Sequence, residues 1–375
     1  MPRVGKNIYK RSDGRWEGRY VRERINGKAR YGSVYAHTYA EVKSKLDVAK
    51  REAEKKLAPK LKAGNVRDLS KVWLSEASAE LKESSVVKYE DLLRLYIIPA
   101  FGDKDLSDIT NDEIITFAGD IRSSGGKNNE GLAPSTVSEI LTLMNALRLY
   151  AVKRDLSVRF TLECVTVKQE QKEIRVFSRQ EEKKLIDYLK AHMDHTAIGI
   201  LVCLYTGIRV GELCALKHED INLPEGTMRI AKTMQRLRVR GSADRKTEVK
   251  ILVPKSSHSI RVIPLPDVLI EILRDVQAET GAFLLTGSVK RMVEPRTMQK
   301  RFKKILAKCG IADANFHATR HTFATRCVEL GFDIKSLSEI LGHASVTITM
   351  NKYVHPTMEH KAEHMNRFSN LFSEE

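Results

Sequence analysis

Residues 316–325 read FHATRHTFAT, and His317, Arg320 and His321 in that stretch fall at i, i+3 and i+4. On a helix, His317 then has both of the others as same-face neighbours. An imidazole beside a guanidinium fits three readings: a metal site, a phosphate site, or a helix that is polar on one side. The metal reading lacks the glutamate of the H-E-x-x-H pattern, because Ala318 fills that slot, and no convincing third ligand stands near it in sequence.

The rest of the chain narrows the choice. At 375 residues it is long enough for two or three domains. Its five cysteines are an odd number without paired spacing, so neither a disulfide framework nor a CxxC metal knuckle is indicated, and a reduced cytosolic setting is the natural expectation. The N-terminus has no apolar signal segment, and no apolar run approaches the ~18 residues of a membrane span. A soluble, cytoplasmic protein without membrane contact is expected. The formal charge of +16 is uneven: residues 1–62 hold 18 Lys and Arg against 7 Asp and Glu. A basic surplus confined to one segment with turn and helix signals points to a nucleic-acid module more than to a solvated tail.

That segment reads as three short strands joined at Asp13-Gly14 and Asn26-Gly27, then a helix opened by Thr38 with Glu41 three residues on. Tyr9, Trp16, Tyr20, Tyr31 and Tyr35 interleave with Arg15, Arg19, Arg22, Arg24, Lys28 and Arg30. The aromatics are expected to form a small core and the cations to contact DNA, since a basic two- or three-stranded sheet fits the major groove. After Pro59 and the KAGN stretch at 62–65, residues 66–155 carry helical signals, with a break at Pro99 and Gly102 and a box at Thr110 and Glu113. A last helix has apolar residues at 137, 140, 141, 144, 147 and 151. Ser178 with Glu181 opens a mixed region that runs to the end.

Four islands of that region need one explanation: TGIRVGELCAL (206–216), VPKSSHSIRVIPLP (253–266), FHATRHTFAT and LGHASVTITMNKYVHP (341–356). In order and spacing they resemble the motifs of the tyrosine recombinases, the phage and mobile-element integrases whose chemistry is similar to that of type IB topoisomerases. The likeness covers residues 178–356. The helical part before it looks like the family's core-binding domain, and the N-terminal sheet is similar to its arm-binding domains.

The resemblance implies a multidomain α+β chain. Residues 1–62 would be a three-stranded sheet plus helix that binds arm-type DNA. Residues 66–155 would be an all-helical core-binding domain, and 170–375 a mainly helical catalytic domain with a small antiparallel sheet. It implies catalytic roles for Arg209, Lys255, His317, Arg320, His343 and Tyr353, with Glu212 supporting Arg209. Thr319 departs from the family's usual leucine at what looks like a packing position, and His321 matches a common but non-catalytic histidine, expected to point partly away.

The residue chemistry agrees. Guanidinium forks suit the non-bridging oxygens of a phosphodiester under attack, imidazoles add donors, and an ammonium protonates a leaving 5′-oxygen. Tyr353 is the sole phenol after Tyr205, in the polar setting NKYVHP. A covalent 3′-phosphotyrosyl link keeps the bond energy, so neither metal nor other cofactor is implied.

Each assignment has a plainer rival: a surface ion pair for Arg209 and Glu212, a solvated hairpin tip for Lys255, a turn cap for His343, and solvation for His355, His360 and His364. The resemblance further implies a homotetramer on two double-stranded attachment sites, core-type and arm-type, and a Holliday junction. It also implies integration and excision of a mobile element in a bacterial nucleoid, with an accessory directionality or DNA-bending protein. The apolar stripe Met358, Ala362, Met365, Phe368, Phe372 would pack in cis or dock between protomers. Two other classes stay open: a topoisomerase that relaxes DNA without joining two sites, and a DNA-binding regulator without chemistry.

Overall fold

The computed structural model describes residues 7–25, 28–57, 64–168, 174–239, 246–253, 259–276, 279 and 281–354. The chain forms two compact units, Met1–Glu170 and Gln171–Glu375.

In the first unit, β1 (Ile8–Lys10), β2 (Trp16–Ile25) and β3 (Lys28–Ala36) pair antiparallel in that order, and α1 (Tyr39–Leu57) follows. Gly14 takes a φ of +84° in the first turn, as an Asp-Gly hairpin requires; Asn26-Gly27 lies outside the described residues. Register divides the aromatics between the two faces. Gly18 opposes Val34 on the face that meets α1, where Leu46 would stand 3.2 Å from a Cβ on Gly18. Trp16, on that face, meets Tyr39 edge-on at 5.2 Å. Glu17 opposes Tyr9 and Tyr35 on the other face, and Tyr9, Tyr31 and Tyr35 are exposed. The expected aromatic core is therefore corrected: period two sends three of the tyrosines away from α1.

Helices α2 (Val66–Ala77), α3 (Glu83–Leu92), α4 (Ile98–Phe101), α5 (Asn111–Ser124) and α6 (Pro134–Val152) enclose a separate apolar core. Val137, Ile140, Leu141, Met144, Leu147 and Ala151 of α6 are all buried in it. The Thr110–Glu113 capping box forms in both directions. The chain does not break at Pro99, because a π-type turn over Leu93–Ile97 precedes it and Pro99 falls in the first turn of α4.

The second unit is built around α8 (His195–Thr206), apolar on every side and buried at ten of its positions. Around it stand α7 (Arg179–Ala191), α9 (Val210–Ala215), α10 (Asp267–Arg274), α11 (Pro295–Lys308), α12 (His317–Glu329), α13 (Ile334–Leu341) and α14 (Val346–Tyr353). Strands β4 (Ile221–Asn222), β5 (Thr227–Ile230) and β8 (Arg261–Pro264) make one antiparallel sheet, and β6 (Thr233–Arg238) with β7 (Thr247–Leu252) a second. No described helix is long and apolar enough to cross a membrane.

Ser178 and Glu181 cap α7, and the preceding residue ties that helix to α12. The backbone N–H of Phe177 donates to Thr322 Oγ1 at 2.9 Å, with both residues fully buried. Thr322→Val keeps the shape and deletes the acceptor, so it should lower the unfolding free energy of the protein by about 1–3 kcal/mol. Urea titration would read this as a lower midpoint with unchanged slope, and Thr322→Ser should stay near wild type.

Candidate active site

Arg320 is the largest fully buried side chain of the chain's described part. Its Nη1 donates to Gly207 O and its Nη2 to Leu341 O, each at 2.8 Å. Nη2 also lies 2.8 Å from His343 Nε2. A guanidinium only donates, so Nε2 is the acceptor and the imidazole proton resides on Nδ1, which donates to Thr349 Oγ1 at 2.8 Å. Burial disfavours the charge of Arg320, as does Arg209, while Glu212 favours it; the net pull is downward, yet arginine retains its proton in proteins.

Both carbonyls that hold Arg320 come from helix ends closed by left-handed glycines. Gly207 ends α8 at φ +66°, and Gly342 follows Leu341 at φ +65°. His343 also closes α13 through its own N–H to Ser338 O at 3.0 Å. The backbone of His343 thus caps a turn while its ring meets Arg320.

Arg209 caps α9, and Glu212 one turn on holds it twice: Oε2 accepts from the Arg209 N–H and Oε1 from Nη1, each at 2.9 Å. Glu212 is buried and also accepts from Arg261, at 3.3 Å from Nη1 and 3.0 Å from Nη2. Burial alone would raise the Glu212 pKa, but the hydrogen bonds and charge of Arg261, with the charge of Arg209, turn the shift downward. Arg261 is itself pinned by Nε to Ile340 O at 2.6 Å. The sequence reading missed Arg261 although it stands in the SHSIRVIP island; its partner Glu212 is 49 residues away, beyond the reach of any local pattern.

Tyr353 ends α14 and is 6% exposed, set against Ala324, Cys327, Leu337 and Leu341. Its polar sequence setting does not carry over to its place in the fold, because the ring points inward while Asn351 and Lys352 face solvent. Burial pushes its pKa up, against the pull of Arg320 and Arg209. Its hydroxyl lies 2.9 Å from His321 Nδ1, which corrects the expectation that His321 points away. Residue 321 lies one turn on from 317 along α12, and α14 folds back over that turn. The His317 and His321 rings meet edge-on at 4.7 Å, and those of His343 and Tyr353 lie nearly parallel at 6.4 Å.

Burial, then neighbouring charge, holds the imidazoles neutral. The pKa of His317 falls to about 4 by burial, His321, Arg320, Lys352 and Arg209; that of His321 to about 4 by burial, Lys352 and Arg320; and that of His343 to about 3 by burial, Arg320 and Arg209. Lys352 was not singled out in sequence because one more lysine on a polar helix carries no signal. Among the described residues no third His, Cys, Asp or Glu joins the two histidines in a metal-ligand cluster. Thr319 is fully buried, with Oγ1 donating to Phe316 O, which accounts for a polar residue at a packing position.

Lys255 lies outside the described residues, as do His355, His360, His364 and the apolar stripe at 358–372. Of the N-terminal cations, Arg15 is held by Asp13 at 2.8 Å, and Arg19 by Glu17 at 2.9 Å. Glu17 also accepts from Arg11 and Ser33, and these bonds, that of Arg19 first, bring its pKa to about 2. Arg22 and Arg30 are exposed, and the side chains of Arg24 and Lys28 lie outside what is described.

Comparison with known proteins places this geometry. The phage integrase family matches residues 175–360, and the phage integrase N-terminal SAM-like domain matches 65–120. A XerC-like tyrosine recombinase of Caldanaerobacter subterraneus subsp. tengcongensis is 26% identical over 374 residues, covering 92% of this chain and 93% of that protein. The tyrosine recombinase XerA of Pyrococcus furiosus is 31% identical over 196 residues, 51% of this chain and 60% of that one. In fold the chain is similar to the integrase of the Tn1549 transposon in complex with transposon right end DNA, with a TM-score of 0.67 at 20% identity, over 81% of this chain and 99% of that one. It is also similar to a lambda integrase tetramer bound to a Holliday junction, at 0.55 and 15% identity, over 96% and 99%. The chain belongs to the phage integrase family and is a tyrosine-type site-specific recombinase.

The neutral histidines set a pH dependence. Unfolded histidine binds a proton below about 6.5, whereas these three hold off until their lower folded values, so the unfolded state takes up more protons in between. Stability should therefore fall as pH drops from about 6.5 toward 4, and Glu212, with its depressed folded pKa, adds a loss in the same direction below about 4.3. Urea unfolding across that range should show it, and His343→Gln should make the dependence shallower.

Proposed function

We propose that this recombinase cuts and rejoins DNA through Tyr353, and that one observation carries the reading: a buried phenol lies within the fields of Arg320 and Arg209 and beside neutral imidazoles, while the buried carboxylate there, Glu212, is committed to two arginines. The negative charge of a scissile phosphate complements these cations.

Arg209 and Arg320 hold the non-bridging oxygens, where negative charge grows in the transition state. His317 and His343 line the same oxygens, Glu212 fixes the aim of Arg209, and Lys255 protonates the leaving 5′-oxygen. Tyr353 forms a 3′-phosphotyrosyl ester, and the free 5′-hydroxyl of a partner strand then attacks it, without ATP or metal.

Residues 1–62 bind an arm-type site through the exposed face that carries Arg19. Residues 66–155 bind core-type DNA, and 170–375 carry the chemistry. Four protomers work through a Holliday junction to integrate and excise a mobile element in the bacterial cytoplasm, with an accessory protein setting direction. The fold shared with a transposon integrase and with a lambda integrase tetramer on a Holliday junction supports this over simple DNA relaxation or regulation without chemistry.

Tyr353→Phe should bind attachment DNA almost normally and form no covalent complex. A nicked suicide substrate should trap wild type as a detergent-stable adduct mapping to Tyr353, and an adduct on any other residue would refute the mechanism. Lys255→Ala should be slow on normal DNA and largely rescued when a bridging 5′-sulfur leaves without a proton; Arg209→Ala should lose about a hundredfold or more on both. For the N-terminal face, replacing Arg19 and Arg22 by Ala should lower the slope of log K against log salt on arm-type DNA by roughly 0.9 for each phosphate that the variant no longer neutralises. An unchanged slope would remove these residues from the interface.

A further inference from the structure

The resemblance to the family assigns no chemistry to His321, yet it is the residue whose ring meets the Tyr353 hydroxyl. Nδ1 stands 2.9 Å from Oη, with the two rings 5.7 Å apart and tilted by 50°. His321 is fixed from two sides: its ring meets His317 edge-on, and its backbone is in the turn that carries the buried Arg320. His317 has its ring against His321, and the hydroxyl contact belongs to position 321.

Resting on the reading of Tyr353 as nucleophile, we propose that His321 is the catalytic base that takes the phenolic proton during strand cleavage and returns it during rejoining. In cleavage the Oη–H bond breaks and an Nδ1–H bond forms, while Oη bonds to phosphorus and the bond from phosphorus to the 5′-oxygen breaks. That oxygen leaves with its electron pair and takes a proton from the separate acid, Lys255. In rejoining, the 5′-hydroxyl attacks phosphorus and gives its proton to the Lys255 amine, the bond from phosphorus to Oη breaks, and the departing phenolate recovers the proton from the His321 imidazolium.

The charges around His321 explain why such a base stays idle without DNA. The rings of His317 and Tyr353 meet it, and the charges of Arg320 on its own helix and of Lys352 on α14 reach it. Burial first, and then the charges of Lys352 and Arg320, disfavour an imidazolium in the free enzyme. A phosphodiester brings a negative charge, and the transition state a second, which together offset the Arg320 and Lys352 charges and favour protonation of His321. The base gains strength when substrate binds.

The test compares His321→Asn, His321→Gln and His321→Ala with wild type in single-turnover cleavage of a nicked suicide substrate, with DNA affinity measured alongside. Asparagine places a hydrogen-bonding atom near the Nδ1 position and accepts no proton at neutral pH, which separates proton transfer from positioning. All three variants should bind DNA within about threefold of wild type and cleave on the order of a hundredfold or more slower. The residual rate of the Asn variant should rise steadily with pH as hydroxide takes over. If the Asn variant cleaves near the wild-type rate while the Ala variant does not, His321 only positions Tyr353 and the proposal fails; it also fails if all three cleave normally. Should Ala fail to fold, Asn and Gln decide alone, with retained DNA affinity certifying their fold. Loss of the Tyr353 reading is a separate result: Tyr353→Phe would still yield an adduct, whatever happens at 321.

Discussion

A guanidinium sealed from solvent, which no carboxylate of the described residues touches, is the constraint on which the catalytic unit depends. An unpaired buried charge costs several kcal/mol, so the surroundings must answer it with dipoles. Arg320 finds them in Gly207 O and Leu341 O, at the C-terminal ends of α8 and α13, where the helix dipole is negative. Those carbonyls are available because each helix ends in a left-handed glycine. A Cβ at 207 would stand 2.5 Å from Phe323 and one at 342 about 3.0 Å from Arg261. The TGIR and LGH islands therefore meet through their glycines, whose turns aim carbonyls at the same cation.

The rest of the site is adjusted to that charge. Burial first, and then neighbouring cations with Arg320 among them, keep His317, His321 and His343 deprotonated at neutral pH. Glu212 favours the charge of Arg320 from a distance, while its oxygens bond to Arg209 and Arg261. A neutral His343 accepts a hydrogen bond from Arg320, which an imidazolium cannot do. Thus the protonation state of the histidines and the orientation of the arginine are one arrangement. The site is organised before its substrate arrives, which is the condition for electrostatic catalysis to cost little reorganisation.

What the sequence disclosed was what depends on neighbours in the chain. Capping boxes at Thr110 and Ser178, the buried stripe of α6 and the positive φ at Gly14 are short-range matters, and each stands where its pattern put it. The aromatics of the N-terminal sheet were misread because composition does not say which face of a strand meets the helix; the register of Glu17 against Tyr35 does. That Arg209, Arg320, His317, His343 and Tyr353 belong together was what the resemblance to the family implied. The Arg261–Glu212 pair and the His321–Tyr353 contact, 49 and 32 residues apart, could not, since each depends on how separate elements fold over one another.

Tyr353 shows why its polar sequence setting was a poor guide. On the proposed reading of Tyr353 as nucleophile, its phenol must be withheld from water and wrong partners as well as presented to phosphorus, and an apolar seat on α12 and α13 withholds it. The seat raises its pKa, so the same burial that protects the hydroxyl weakens it as a nucleophile. Under that proposal reactivity has to come from what DNA adds: a phosphate that Arg209 and Arg320 would bind and that would make proton loss from Tyr353 productive. On this view the enzyme's restraint and its chemistry reside in one pocket, and the charge of the substrate changes the first into the second.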